Sequence, residues 1–274
     1  MLAPRAAVPD CSDKKPPMSR VRRILLTCLP KVLLSRLCGG LCTLPLPRWF
    51  RPRLYGWFAR RYGASLDEVA GTLADFKSLQ QFFRRPLREG ARPIAGTPLV
   101  WPCDGRIITT GYVTNERLEQ VKGRHYGLAD LLGDAAFARA LEGGSQVTIY
   151  LAPGDYHRVH APFSAVIEAI TALPGTLFPV NPAATRCIEN LFPRNSRHVF
   201  RCRLDSGEPA AIVMVGAYNV GSTIVSTVCG QVRAGDEIGQ FGFGSTVVAM
   251  VGRGVRGFAA LPPEQQVQMG GAAS

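Results

Sequence analysis

The chain has 274 residues, of which 46% are hydrophobic and 19% are charged. This composition supports a packed core and excludes a disordered or collagen-like chain. The 32 basic and 20 acidic side chains give a net charge of +12, and residues 1–63 hold 13 of the basic side chains but only two of the acidic ones. A strongly basic leader therefore precedes a near-neutral body of 274 − 63 = 211 residues.

No run in the sequence approaches about 18 uncharged apolar residues, the length that a helix needs to cross a bilayer. We therefore expect no membrane-spanning helix. The eight cysteines are scattered without a Cys-x-x-Cys pair, and we recognise no cleavable signal sequence. These features predict reduced thiols in a cytosolic compartment.

The leader divides into two parts. Residues 1–17 are predicted to form a disordered tail, and residues 18–63 to form short basic amphipathic helices separated by prolines. Four apolar residues recur at i, i + 4, i + 7 and i + 8 and are expected on one helical face: Phe50, Leu54, Trp57 and Phe58. Basic helices with Trp and Phe typically lie in a lipid headgroup layer. Membrane contact is the favoured interpretation, and packing on the body or binding of nucleic acid are the alternatives.

Two short sequences after the leader have the pattern of a helix capping box, residues 65–68 and 78–81. Each predicts the start of a short helix ahead of Arg84-Arg85-Pro86. A third helix is predicted over residues 128–141.

The second half of the chain changes to a β pattern. Apolar runs separated by Gly, Pro and Asp predict strands at residues 146–151, 165–173, 198–204, 211–215, 221–227 and 246–251. Helices first and strands later predict an α+β fold, in which N-terminal amphipathic helices precede a mostly antiparallel β body.

Two of the four histidines, His157 and His160, lie three residues apart in a loop predicted to follow the strand at 146–151. Histidine titrates near neutral pH, so either could act as a general base. A metal pair is one alternative, but a metal site needs a third ligand, and none stands nearby at the usual spacing. Ordinary surface histidines are the other alternative. We predict no metal site.

A carboxylate candidate is Asp104, which precedes Gly105. An Asp-Gly pair most often forms a β-turn. A turn that also presents the carboxylate to a histidine would orient the imidazole and stabilise its charged form. The residues alone leave both interpretations open.

A hydroxyl candidate is Ser245, which follows Gly244 and precedes an apolar run. The sequence fits neither a Gly-x-Ser-x-Gly nucleophile elbow nor a phosphate loop, and a bulged strand entry is the structural alternative. Glycine at position 244 permits backbone conformations that suit a serine attacking the peptide bond before it. Together with Asp104 and His160, Ser245 would complete a carboxylate, base and hydroxyl set like that of the serine proteases.

These candidate residues and the motifs around them resemble one family, the pyruvoyl-dependent phosphatidylserine decarboxylases. The most specific motif is Asp155-Tyr-His-Arg-Val-His160. The other matching segments follow the family's order: residues 29–37, 82–88, 104–105, 122–126, 150–162, 177–181, 195–197, 215–217, 220–222 and 244–246. This chain has Phe243 where the family usually has Leu and Ser196 where Glu is usual, and it is shorter between Thr227 and Ala234.

The resemblance implies a proenzyme that cleaves itself between Gly244 and Ser245. The cleavage site would lie in a catalytic domain that spans residues 64–274, and the products would be a β chain of residues 1–244 and an α chain of residues 245–274. A decarboxylation of an α-amino acid needs an electron sink that ordinary side chains lack. The family obtains it from a pyruvoyl group made from the serine.

The resemblance also implies a role for each candidate. Asp104 and His160 would activate Ser245 for self-cleavage, and Ser245 would become the pyruvoyl group that forms a Schiff base with the substrate amine. His157 would assist decarboxylation.

By the same resemblance, the substrate would be phosphatidylserine in an anionic membrane, and the products phosphatidylethanolamine and CO₂. The enzyme would be a homodimer held peripherally at the cytoplasmic side of the cell membrane, with no nucleic acid partner. Two alternatives stay open: an uncleaved lipid-binding protein of the same fold, and a pyruvoyl decarboxylase for another serine phospholipid or an amino acid.

Overall fold

The computed structural model describes residues 39–121, 123–217, 223–242 and 245–274. The predicted tail, residues 1–17, and the leader residues 18–38 lie outside this part. Residues 39–43 are helical, and the other helices of the described residues are α1 (Arg51–Tyr62), α2 (Leu79–Phe83), α3 (Leu128–Leu132), α4 (Ala135–Ala140), α5 (Pro182–Cys187) and α6 (Leu191–Arg194).

The strands are mostly short, and they supply most of the regular structure. In chain order they are β1 (Gly105–Tyr112), β2 (Arg117–Val121), β3 (Arg124–Gly127), β4 (Ser145–Leu151), β5 (Arg158–His160), β6 (Ala165–Leu173), β7 (Arg197–Leu204), β8 (Pro209–Gly216), β9 (Thr223–Val225), β10 (Gly230–Val232), β11 (Glu237–Phe241), β12 (Ser245–Val251) and β13 (Gln266–Val267).

Eight strands form the main sheet in the order β10-β6-β7-β8-β12-β4-β1-β13. Every pair in it is antiparallel. A three-stranded sheet, β5-β11-β9, and the hairpin β2-β3 complete the β structure of the described residues. The predicted α+β fold with a mostly antiparallel β body is confirmed.

Strand β12 lies inside the main sheet and is buried along its whole length. Its side chains alternate between two apolar clusters, because successive residues of a strand point to opposite faces. Val247, Ala249 and Val251 belong to one cluster. Val248 and Met250 belong to the other, which lies under helices α3, α4 and α6. The unbroken apolar run of the sequence therefore reflects a strand covered on both faces.

The predicted strand positions agree with the structure where apolar runs are long. The strand over residues 165–173 has the predicted bounds, and those predicted at 146–151, 198–204, 211–215 and 246–251 are each one to three residues longer. The strand predicted at 221–227 is described only as Thr223–Val225. Strands β1, β2, β3, β5, β10, β11 and β13 were not predicted, since each is short or lacks a distinctive apolar pattern.

The helix predicted to begin at residues 65–68 is wrong. Val69 instead forms an isolated β-bridge with Leu87. The Glu68 carboxylate, which a capping box would direct to the helix backbone, accepts two hydrogen bonds from Arg92.

The second capping box is confirmed. The Ser78 hydroxyl accepts from the Gln81 backbone nitrogen at 3.2 Å, and the Gln81 side chain accepts from the Lys77 nitrogen at 2.7 Å, so that α2 begins after Ser78. The single helix predicted over residues 128–141 is wrong, because two helices occupy this range. Gly133 ends α3 with φ of 69°, a left-handed conformation that favours glycine, and Asp134 caps α4.

Helix α1 packs onto an aromatic cluster beside the main sheet. The Tyr55 ring stacks on Phe82 with 4.5 Å between centroids, and Phe58 meets the same ring edge-on at 5.9 Å. The Tyr55 hydroxyl donates to the Phe76 carbonyl oxygen at 2.9 Å. Of the four apolar residues predicted on one helical face, Phe58 is therefore buried against the body, as the packing alternative predicted, whereas Trp57 is 53% exposed.

Candidate active site

The candidate residues gather at one end of the main sheet. Ser245 opens β12 and pairs with Leu151 of β4 on one side and with Gly216 of β8 on the other. On the far side of β4, Arg106 pairs with Tyr150. Asp104 thus lies at the same end of the sheet as Ser245, two strands away, which is about 10 Å.

Close packing explains the glycine in the Asp104-Gly105 pair. A Cβ atom on Gly105 would lie 2.5 Å from the Tyr150 carbonyl oxygen, so only glycine fits there. Gly105 opens β1, and Asp104 immediately precedes the strand. The glycine is therefore required by the approach of β1 to β4.

Ser245 is fully buried, and its Oγ atom has no hydrogen-bond partner among the described residues. By strand alternation its side chain lies on the same face as Val247. An unpartnered hydroxyl in a closed interior is costly, and such groups often mark functional sites.

A tight turn over residues 152–155 connects Leu151, the strand partner of Ser245, to the segment that holds His157 and His160. The Asp155 carboxylate accepts from the Ala152 nitrogen at 2.7 Å, and the Asp155 nitrogen donates to the Ala152 carbonyl oxygen at 2.9 Å. Just after this turn, the His157 carbonyl oxygen accepts from the Phe241 nitrogen at 2.9 Å. The segment that leads into Ser245 is therefore tied to His157.

His157 is a neutral, buried imidazole. Its Nδ1 donates to the Asp155 carbonyl oxygen at 2.8 Å, since a carbonyl can only accept, and its Nε2 has no partner in the described part of the chain. Phe83 covers the ring at 3.9 Å between centroids. Burial, together with the nearby Arg85 cation, lowers the pKa of His157 to about 3. Nε2 therefore presents a free lone pair at neutral pH.

His160 is held in the same tautomer as His157, with its proton on Nδ1. Its Nδ1 donates to the Gly235 carbonyl oxygen at 2.8 Å, so its Nε2 accepts from the Tyr156 hydroxyl at 3.1 Å. Burial lowers the pKa of His160 and raises the pKa of Tyr156 to about 12, so the imidazole is neutral and the phenol keeps its proton. His160 thus has a basic nitrogen that is already engaged in a hydrogen bond.

Asp104 makes its hydrogen bonds to other groups. Its carboxylate accepts from Arg92 at 2.6 Å (Nη2) and 3.0 Å (Nε), and from the Met269 backbone nitrogen at 2.9 Å. The other side of the Arg92 guanidinium donates to Glu68 at 2.8 and 3.0 Å. One cation therefore joins two carboxylates, and Asp104 also anchors the C-terminal segment.

The structure brings Asp104, His157, His160 and Ser245 to one end of the sheet, but it shows no hydrogen bond linking Asp104, His160 and Ser245 within the described residues. His160 is oriented by Gly235 instead. The sequence analysis did not predict the hydrogen bond between His160 and Gly235. It also did not predict the contact of Arg92 with Asp104, because Arg92 is one of 32 basic residues and belongs to no motif. Tyr156 could have been found, because it lies inside the recognised motif.

Two further motif residues have structural roles. The Asn195 side chain donates to the carbonyl oxygens of Phe178 at 2.8 Å and Gly216 at 3.0 Å, which fixes the end of β8 beside Ser245. Arg197 donates to the carbonyl oxygen of Leu131, at the end of α3. In the described part of the chain, no group of three or more His, Cys, Asp or Glu residues could hold a metal ion.

This arrangement defines a class of site: a buried serine hydroxyl at the head of a central strand, with two neutral imidazoles and a carboxylate at the same end. Such a set provides nucleophilic and acid–base chemistry.

Comparison with known proteins places this site in a family. The sequence model for phosphatidylserine decarboxylase matches residues 79–273. A phosphatidylserine decarboxylase proenzyme of Pseudomonas aeruginosa is 37% identical over 252 residues, covering 82% of this chain and 86% of the relative. The proenzyme of Halorhodospira halophila is 39% identical, covering 86% and 87%. That of a Shewanella species is 37% identical, covering 92% and 96%. The chain belongs to the phosphatidylserine decarboxylase family, and the resemblance is confirmed.

The Arg92 contacts generate a stability prediction. Arg92→Gln would leave the buried Asp104 carboxylate and the partly exposed Glu68 carboxylate without their shared cation. Because the Asp104 pair is buried, we expect the free energy of unfolding to fall by about 3 kcal/mol. The control is Arg106→Gln, because Arg106 pairs with Glu264 at 3.7 Å on the surface and should contribute less than about 1 kcal/mol. Chemical denaturation of both variants measures the difference. Equal losses would show that the Arg92 pairs are no stronger than a surface pair.

The low pKa of His157 generates a pH prediction. In the unfolded chain a histidine takes up a proton near pH 6.5, but in the folded chain His157 does so only near pH 3. The unfolded state binds more protons between these values, so folding stability falls as the pH drops through this window. Between pH 7 and 4, His157→Gln should therefore lose about 3 kcal/mol less stability than the wild type.

Denaturation curves at several pH values test this expectation. His125→Gln is the matched control, since it makes the same replacement at an exposed position on β3. A wild-type slope retained in His157→Gln would mean that His157 is not held neutral by burial.

Proposed function

We propose that this chain is a proenzyme that cleaves itself at Ser245 and that its mature form decarboxylates phosphatidylserine to phosphatidylethanolamine and CO₂. The observation that carries the proposal is the buried, unpartnered Ser245 hydroxyl at the head of β12, in a chain whose family relatives are proenzymes of that name. By resemblance, we also propose a homodimer held peripherally at the cytoplasmic side of the cell membrane.

In the cleavage step, Ser245 Oγ attacks the carbonyl carbon of Gly244, the C–N peptide bond breaks and an ester replaces it. Loss of the Ser245 Cα proton then eliminates the ester, which releases the β chain as a carboxylate and leaves a dehydroalanine. Water hydrolyses the dehydroalanine, through its imine, to the pyruvoyl group and ammonia.

The serine hydroxyl proton must leave as the ester bond forms, and Nε2 of His160 is the proposed acceptor because it carries a lone pair. In the structure this Nε2 accepts a hydrogen bond from the Tyr156 hydroxyl. The proton transfer therefore requires either that Nε2 gives up this bond and accepts from Ser245, or that the proton passes through the Tyr156 hydroxyl. Asp104 would stabilise the resulting imidazolium from the same end of the sheet.

The site also fits the pyruvoyl group that the family implies. The Oγ atom of Ser245, the residue that would become this group, has no hydrogen bond within the described residues to lose on conversion. When present, a pyruvoyl group supplies the electron sink that decarboxylation needs. The protein's own part is to exclude water around Ser245, which is fully buried, and to hold neutral His157 with its Nε2 free to move a proton.

The two chains would stay together after cleavage without a covalent link. Strand β12 keeps seven paired positions with β4 and seven with β8. Further along the α chain, β13 pairs with β1, and the backbone nitrogens of Gly270 and Ala273 donate to the carbonyl oxygens of Trp101 and Leu99. We infer that the α chain remains part of the sheet.

The proposal predicts different outcomes for the candidate residues. Wild type should yield a fragment of 274 − 244 = 30 residues, about 3 kDa, whereas Ser245→Ala and His160→Ala should stay as one 29.6 kDa chain. Intact mass and denaturing gels measure this. Efficient cleavage of Ser245→Ala at the same bond would refute the proposed nucleophile.

The two histidines should differ. His157→Ala should still cleave but lose decarboxylation by about 10²-fold or more, the effect of removing an acid–base group. Phosphatidylethanolamine formation per cleaved enzyme is the measurement. Normal turnover by cleaved His157→Ala would contradict its role.

We further propose that the N-terminal region binds the membrane. Leu41, Leu44, Trp49 and Trp57 are 65%, 53%, 69% and 53% exposed. Exposed arginines stand among them: Arg48, Arg53, Arg60 and Arg61. Aromatic side chains amid cations suit an anionic headgroup layer. No helix in the described residues is long and apolar enough to cross a bilayer.

This surface predicts a vesicle-binding defect. Trp49→Ser with Trp57→Ser should weaken binding to phosphatidylserine vesicles at least about tenfold, because two interfacial aromatics are lost. Wild-type binding should weaken as salt rises. Tyr112→Ser is the control, since Tyr112 is 72% exposed on β1. Co-sedimentation measures binding, and circular dichroism checks folding. A folded double variant that binds like wild type would show that this surface does not contact lipid.

A further inference from the structure

Arg85 places a positive charge in the interior next to the proposed site. The residue is only 2% exposed. Its Nη2 donates to the carbonyl oxygens of Gly154 at 2.7 Å and Asp155 at 3.3 Å. Its Nε and Nη1 have no hydrogen-bond partner, and it forms no salt bridge, within the part of the chain that the structure describes. The carboxylates of Asp104, Asp155 and Glu68 raise the pKa of Arg85 through space, but burial is the larger effect and lowers it. None of the three accepts from Nε or Nη1, and two unpaired donors on a buried cation are unfavourable unless an anionic acceptor joins them.

The position of Arg85 is fixed by its surroundings. Its guanidinium carbon lies 5.3 Å from the centre of the Phe82 ring, a cation–π contact. Pro86 follows it and restricts the backbone of Arg85. The Asp155 carbonyl oxygen accepts from both Arg85 Nη2 and His157 Nδ1, so the guanidinium and the imidazole are neighbours.

Arg85 is also connected to the serine. Its two acceptors, Gly154 and Asp155, belong to the turn that starts one residue after Leu151, and Leu151 is the strand partner of Ser245. Within the described residues, several side chains at this end of the sheet thus have hydrogen-bonding atoms without a partner. Among them are Ser245 Oγ, His157 Nε2 and Arg85 Nε with Nη1.

We propose that Arg85 binds the phosphodiester anion of the lipid headgroup through Nε and Nη1. Adjacent guanidinium nitrogens form a planar fork that matches two phosphate oxygens. This inference rests on the proposed function, because it assumes a serine phospholipid whose amine reaches the position of Ser245.

The substrate carries two anionic groups, and the chemistry distinguishes them. The carboxylate loses its negative charge as CO₂ departs, so a cation bound to it would stabilise the ground state more than the transition state and slow the reaction. The phosphodiester keeps its charge throughout. A cation bound there contributes equally to both states and therefore lowers KM without opposing the chemical step.

Binding of an anion at Arg85 also has a consequence for His157. The Arg85 cation contributes to lowering the pKa of this histidine, although burial is the larger cause. An anion on Arg85 would offset that contribution. Occupation of the site would thus favour proton uptake at His157 Nε2 when substrate is present.

The test compares two substrates on the mature enzyme: dihexanoyl phosphatidylserine and O-hexyl-L-serine, which keeps the amine and carboxylate but lacks the phosphate. Arg85→Gln should raise KM for the phospholipid about tenfold to a hundredfold, with kcat little changed. It should leave KM for O-hexyl-L-serine unchanged. Arg88→Gln is the matched control from the same segment, since Arg88 donates to the Val69 carbonyl oxygen, and it should alter neither KM.

Other results would overturn the assignment. Equal rises in KM for both substrates would mean that Arg85 binds the carboxylate or only shapes the site. A fall in kcat with unchanged KM would mean that it acts on the chemical step. A wild type that is cleaved but forms no phosphatidylethanolamine would instead refute the proposed function, so the two failures are distinguishable.

A second measurement on wild type does not depend on how a variant folds. Glycerophosphoethanolamine should inhibit phosphatidylserine turnover competitively, and ethanolamine at the same concentration should inhibit at least about tenfold less. Equal inhibition by the two compounds would refute a phosphodiester contact. Inhibition by inorganic phosphate as strong as that by glycerophosphoethanolamine would show a site for free phosphate rather than for the headgroup.

Discussion

The pairing of β12 with a neighbour on each side is the constraint on which the rest of the structure depends. Seven consecutive residues pair with β4 and with β8, and the side chains fill apolar clusters on both faces of the sheet. The six residues that follow Ser245 hold the strand in the sheet by contacts that do not involve the bond before Ser245. The bond between Gly244 and Ser245 could therefore break while the strand keeps its place, as a self-cleaving proenzyme requires.

The same burial accounts for the chemistry of the site. The buried Ser245 and His157 each have a polar side-chain atom without a hydrogen-bond partner in the part of the chain that the structure describes, and a folded protein normally avoids this cost. Burial also keeps both imidazoles neutral, because a charged ring would lose its hydration there. A neutral histidine can accept a proton at once. These positions lower stability and favour reactivity, whereas the motif residues Asn195 and Arg197 hydrogen-bond to backbone carbonyl groups and stabilise the frame.

Sequence reasoning found what is encoded locally. The strand at residues 165–173 and the Ser78 cap follow from patterns within a few residues. It failed where a side chain distant in the sequence competes with the local pattern. Glu68 lies in a capping pattern but pairs with Arg92, so the predicted helix is absent. The site residues came from motifs and a family resemblance, and their convergence on one end of the sheet required the fold. Arg85 lay inside a recognised motif, yet its unused donors are visible only once burial is known.

One contact links the N-terminal region to the site. A Cβ atom on Gly154 would collide with the carbonyl oxygen of Tyr62, the last residue of α1, so this glycine is required by the close approach of the helix to the turn. The same turn supplies the carbonyl oxygens that hold Arg85 and His157. If the exposed aromatic face of α1 rests on a bilayer, the turn is fixed relative to the membrane surface through this contact. A helix that binds lipid would then also set the depth at which a headgroup meets Arg85.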